Sequence, residues 1–238
     1  PMKTIVSLCP MSFNQRILQR MGAISLAAML LSGCVNSTLQ EVRERETGIV
    51  AGQSVVIIGK SSRPSAAETE LEFISCVADD LARGDEELAV IPVEQFRDLT
   101  FPWFEPRTAP DKASQLSALL AQPKLAAQLE AVGLRYLVWV DGRTNRTSSA
   151  GSIGCSVGPG GGGCFGFLTW DDDASYEATI WDTEDGQTAG RISSDAAGTS
   201  YMPAFVVPIP IVARVQNNAC KSLSKQLLSF LANSDDAT

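Results

Sequence analysis

The chain contains no histidine in its 238 residues. Histidine is the side chain whose ordinary pKa lies near neutrality. Its absence excludes Ser-His-Asp and Cys-His catalysis, His-ligated zinc and most general-base designs that work at neutral pH. Basic residues are also scarce: 19 Lys and Arg stand against 27 Asp and Glu, for a formal net charge of −8. The first 33 residues hold Lys3, Arg16 and Arg20 and no acid, so the rest of the chain is more acidic still. Such a surface repels phosphate and argues against a nucleic-acid partner. Long apolar runs are missing as well. Met21 to Leu31 is 11 residues long, where a helical membrane span needs roughly 20. Aromatic residues make up only 7% of the chain, so a cluster of them is informative.

The short apolar run has a context of its own. Arg16 and Arg20 precede it, and Leu31-Ser32-Gly33-Cys34 follows it. A positive start, an apolar centre and small residues before a cleavage point are the features of a signal peptide. The segment resembles the lipobox of bacterial lipoproteins. That resemblance implies removal of residues 1–33 and lipidation of Cys34. Several acyl chains hold a protein stably on a bilayer. Val35 rather than Asp after the cysteine implies sorting to the outer membrane, facing the periplasm. Residues 34–53 are polar and charged and read as a tether, 54–232 as one globular domain, and 233–238 as a disordered tail.

Four of the six cysteines remain beyond Cys9 and Cys34: Cys76, Cys155, Cys164 and Cys220. An even number in an exported chain suggests disulfides, with three connectivities open. Cys155 and Cys164 flank a glycine-rich stretch, while Cys76 and Cys220 fall in expected helices, so the reading favours 155–164 and 76–220. A Cys₄ metal site is disfavoured because neither pair has the short spacing that zinc uses.

The element order reads βαβαβ, a β-hairpin, then α. Ser54–Gly59 (SVVIIG) is a buried strand. Residues 66–83 form a helix with a stripe of Ala67, Leu71, Ile74, Ala78 and Leu81. Leu88–Val93 is a strand ended by its proline, and residues 96–110 a loop. Residues 114–132 form a helix in two pieces, the second opening at Pro123, and Arg135–Asp141 is a strand. Gly142 to Asp173 is irregular. Ser175–Trp181 and 188–200 form a hairpin around Asp185-Gly186. Residues 204–211 are an apolar loop, and Val215–Leu231 is the last helix. This is an α/β domain of three helices on a mixed sheet. The segments SVVIIG, LAAQLEAVGLRYLVWV, YEATIWDTEDGQTAG and ACKSLSKQLLSFL resemble a superfamily of envelope lipoproteins. It includes the curli secretion channel subunit, lipoprotein activators of penicillin-binding proteins and the N-terminal domain of TolB. The resemblance implies a periplasm-facing binding or assembly factor. The curli subunit has two long amphipathic hairpins that build a pore, whereas one short hairpin and a glycine loop are expected here.

Four segments are candidates for contact. FPWFEPRTAP (101–110) interleaves aromatics with prolines. Phe101, Trp103, Phe104, Glu105 and Arg107 are the expected partner-binding residues, since a proline-stiffened loop presents rings at little entropic cost. Cys155 to Cys164 reads as a flexible loop pinned at its base and lacks the spacing of a nucleotide loop. Phe165, Phe167, Leu168 and Trp170 are expected on a strand face, and Phe205–Ile211 beneath the last helix. Asp171-Asp172-Asp173 reads as a solvated turn without the calcium-loop pattern. No cofactor and no metal are expected. The functional expectation is a non-enzymatic envelope lipoprotein that binds an envelope protein partner, with homo-oligomerisation open. The alternatives are a subunit of a secretion or surface-assembly complex, or a carboxylate-based glycan hydrolase.

Overall fold

The computed structural model describes residues 35–60, 69–84, 88–105, 108–110 and 112–232. The leader, Cys34, Arg107 and the tail lie outside the described residues. The chain builds six strands: β1 (Val35–Arg43), β2 (Ser54–Gly59), β3 (Ala89–Ile91), β4 (Leu134–Gly158), β5 (Gly161–Asp182) and β6 (Gln187–Pro208). The described helices are α1 (Leu71–Gly84), α2 (Val93–Leu99), α3 (Ala113–Leu120), α4 (Pro123–Ala131) and α5 (Val215–Leu231). The sheet is mixed, in the order β1-β6-β5-β4-β2-β3. β2 runs parallel to β3 and β4, and the remaining pairs are antiparallel.

The order explains the layers. The chain moves outward from β2 to β3 and then back past β2 to β4. Right-handed crossovers in opposite directions place their helices on opposite faces. One core packs α1 and α5 against Tyr136, Val138 and Val140 of β4, Ala178 and Ile180 of β5 and Ile192 of β6. The other packs Phe96 of α2, Leu116 and Leu120 of α3, and Leu125 and Leu129 of α4 against Leu137, Trp139 and Trp181. β2 lies between both: Val55 and Ile57 enter the first core, and Val56 and Ile58 the second. A strand covered on both faces needs an unbroken apolar run, which SVVIIG supplies.

Several expectations give way. Three helices become five among the described residues, because Pro92 ends β3 and starts α2 inside what reads as a strand end and loop, and α3 and α4 separate at Gln122. The α1 stripe is rotated: Phe73, Ile74, Val77 and Leu81 are buried, while Leu71 is exposed. Ring stacking of Phe73 on Tyr176, with centroids 3.4 Å apart, fixes that rotation. The expected tether is, over Val35–Arg43, the edge strand β1 on β6. Val35 and Leu39 pack against the first core, which polar flanks conceal in the sequence.

The disulfides are Cys76–Cys220, across 144 residues, and Cys155–Cys164, across nine. The first ties α1 to α5.

Candidate functional site

The largest departure from the sequence reading is the span Gly142–Asp173. It contains no loop of any length. β4 and β5 pair from Tyr136↔Asp182 to Gly158↔Gly161, with one bulge at Thr147, and turn at Pro159-Gly160. β6 continues beside β5 as far as Cys164↔Val206. A three-stranded arm therefore runs beyond the helix-covered sheet. From Asp171 to Gly161 it is about 30 Å long at roughly 3.3 Å per residue.

Glycine here serves pairing. Gly151 and Gly166 have φ of +93° and +148°, and a Cβ on either would stand 2.1–2.2 Å from a carbonyl oxygen of the opposite strand. Only glycine permits that approach. Cys155 and Cys164 sit directly opposite each other, so their bridge pins the register near the tip.

The arm is free of charge. Residues 147–170 and 196–213 contain no Asp, Glu, Lys or Arg. Charges gather at its root instead. Asp171 accepts hydrogen bonds from the Ser148 hydroxyl and, at 2.6 Å, the Thr199 hydroxyl, which joins all three strands. Those two bonds hold its carboxyl below the usual carboxylate range, against a smaller opposing effect of desolvation. Arg146 pairs with Asp172 at 3.3 Å across β4 and β5 and stacks over Trp170. The expected solvated turn at Asp171–Asp173 is thus strand, with the carboxylates of Asp171 and Asp172 engaged by neighbouring strands and Asp173 exposed. Beneath the root, the Tyr176 hydroxyl donates to Glu70 at 3.0 Å and lies 2.9 Å from the Thr144 hydroxyl. Burial pushes its pKa up to about 12, with Glu70 adding to the rise and hydrogen bonds from Thr144 and Gln216 opposing it.

Strand alternation gives the arm two faces. Trp170 and Ala204 are buried on one, with Ile153, Leu168 and Met202 partly covered. Phe165, Phe167, Tyr201 and Phe205 stand on the other. Phe165 and Phe205 are directly opposite, each 73% exposed, with rings edge to face at 5.5 Å. Phe167 and Tyr201 lie 6.2 Å apart next to them. Phe205 was expected beneath α5. It stays outside because it stands on the sheet face opposite that helix: Ile192, Ser194 and Ala196 of β6 face α5, and strand alternation turns Phe205 the other way. The chain then doubles back, and Ile211 bridges to Tyr201. The signal for this surface was present as two charge-free stretches, but their pairing was not visible.

A second property of the arm is its edge. β4 has β2 as its outer neighbour only up to Val140. From Asn145 to Gly158, no described strand pairs with its outer side. Arg146 stands near the start of this stretch, but beyond it there is neither lysine nor proline, the residues that commonly blunt an edge.

The expected partner loop is largely core. Phe104 is buried in the second core against Phe96, with centroids 4.8 Å apart. Trp103 packs on the same core, donates from Nε1 to Gln122 at 3.0 Å, and lies beneath Lys124. Glu105 is partly buried, and its carbonyl accepts from Thr108 and Ala109. Among the described residues of this set, Phe101 alone projects, at 65% exposure.

No constellation for catalysis stands out among the described residues. A concavity between α4 and the strand ends is lined by Gln53, Gly133, Arg135, Thr183 and Glu184. There Arg135 pairs with both Asp182 and Glu184, so these carboxylates share one cation. Cys76, Asp80 and Cys220 bring three metal-ligating atom types within 4.8 Å of one another, but both sulfurs are in the disulfide and are not thiolates.

No family model matches the chain, and no curated protein matches it. Among solved structures, the chain is similar to the PelC dodecamer from Paraburkholderia phytofirmans at 13% identity, covering 84% of this chain and 100% of that one, with a TM-score of 0.38. A variant PelC dodecamer from the same organism gives 14% identity, 84% and 99% coverage and a TM-score of 0.36. Likeness at this level identifies neither fold nor function, so the reading of this chain rests on its own geometry.

Proposed function

We propose that this chain is a non-enzymatic binding or assembly protein of the cell envelope, anchored by lipid at Cys34 and acting through the β-arm. The observation that carries the reading is the unpaired β4 edge, Asn145–Gly158, on an arm free of charge. An open strand edge offers a row of backbone donors and acceptors to an extended segment of a partner, which adds to the sheet. The disulfide ties that edge to β5 near the tip, and the hydrogen bonds of Asp171 join the three strands at the root, which lowers the ordering cost of binding. The absence of histidine and the sharing of Asp182 and Glu184 by Arg135 support a binding role over hydrolysis.

The test is a photo-reactive amino acid in place of Ser152, in the lipidated protein, irradiated in whole cells. The expected result is a covalent adduct with one discrete envelope protein. An adduct with a second copy of this chain would assign the edge to self-assembly, as in a subunit of a surface-assembly complex. Absence of any protein adduct would overturn the reading.

A further inference from the structure

The arm has an aromatic face as well as an edge, and its surroundings indicate what that face meets. We infer that Phe165, Phe167, Tyr201 and Phe205 seat in the boundary between headgroups and acyl chains of the bilayer that holds the Cys34 lipid. The inference deepens the proposed function and rests on the lipobox reading for its anchor.

The first argument is charge. In a chain of net charge −8, residues 147–170 and 196–213 carry none, while Arg146, Asp171, Asp172, Asp173, Asp195 and Arg214 mark where the arm begins and ends. Protein interfaces keep a polar rim and favour arginine. Hydrocarbon is the environment that penalises every charge, and Phe with Tyr suits its boundary with water.

The second is position. β1 begins at Val35 opposite Gly198, antiparallel to β6. Val35 therefore stands at the end of the sheet at which the arm starts. A lipid on the residue before Val35 is attached at the arm's root, so the bilayer that receives the acyl chains is within reach of the rings.

The third is depth. A segment crossing the hydrocarbon must satisfy all its backbone groups, and no described strand pairs with the outer side of β4 from Asn145 to Gly158. A lone arm therefore lies in the interfacial layer with its rings down. This leaves the β4 edge among the headgroups, open to a protein strand.

The experiment uses purified lipidated protein in vesicles of phosphatidylethanolamine and phosphatidylglycerol. A photo-reactive phenylalanine analogue replaces Phe165, Phe205 or, on the body of the domain, the equally solvent-facing Phe101. Phospholipid adducts are expected at 165 and 205, at least about tenfold above those at 101, as for a partly inserted apolar face. Adducts with a second copy, equal yields at all three positions, or no lipid adduct at 165 and 205 would overturn the inference. The intact mass of the same protein reports acylation of Cys34 separately. An unacylated chain that still gives lipid adducts at 165 and 205 would sink the anchor reading and leave this one standing.

Discussion

β4, β5 and β6 each live in two environments, and the contrast separates what makes a strand from what buries it. In the body, Ala178 and Ile180 of β5 pack under α1 and α5, while Trp181 enters the second core on the other face. In the arm, Phe165 and Phe167 keep the same alternation with no helix above them. Backbone pairing continues from one half to the other, across a single bulge of β4 at Thr147. The ladder therefore does not require a helix layer. It requires partners, a closed register and side chains that tolerate the pleat. Stability comes from the body, and the arm presents surface.

That division can be broken from either side. The largest effect is expected from Cys76→Ser with Cys220→Ser. The bridge spans 144 residues, and its loss should cost about 2–5 kcal/mol in guanidinium unfolding. Cys155→Ser with Cys164→Ser should leave the body's midpoint in place and speed amide exchange near the arm tip only. A comparable loss in both double variants would show the arm to be part of the cooperative body. Next, Ile180→Ala should cost about 2–5 kcal/mol as a core truncation. Phe205→Ser, on the neighbouring strand, should stay within about 0.5 kcal/mol. Gly166→Val should separate β4 from β5 locally, because its Cβ would collide with the Ser152 carbonyl. Limited proteolysis should then cut the arm before the body.

The smallest effects are those of pH. Tyr176 has its pKa raised from 10.0 to about 12 in the fold. Its contribution to stability is complete below pH 10 and is lost as pH rises through 12, because the unfolded chain releases the proton first. Unfolding midpoints measured across that window should fall less steeply in Tyr176→Phe. Asp171 acts in the opposite sense. Its pKa is lowered from 3.8, so its contribution holds above that value and fades as pH falls below it. Asp171→Asn should remove this acid dependence at the arm's root.

Local patterns determined much of the body. SVVIIG reads as a fully buried strand because an apolar run of that length, with β-branched residues and a closing glycine, has few other uses. The last helix was legible over its full length, since Gln216, Cys220, Leu223, Leu227 and Phe230 repeat at helical spacing; all but the half-buried Gln216 enter one core. Pro123 marked the start of α4. The absence of histidine and the acidity of the chain bounded its chemistry without any structure.

The arm was decided by tertiary pairing alone. Glycine and serine have low strand propensity by themselves, so GSIGCSVGPGGGGCFG reads locally as a loop. It becomes strand because each residue outside the Pro159-Gly160 turn faces a partner on β5 or β4, and because Gly151 and Gly166 let the backbones close. β1 is strand because β6 offers it an edge, a fact that VNSTLQEVR cannot carry. The interior place of Phe104 and Trp103 and the exposure of Phe165 and Phe205 follow from the same cause. Aromatic side chains specify a preference for burial, but which of them find a covering layer is set by how far the helices reach along the sheet.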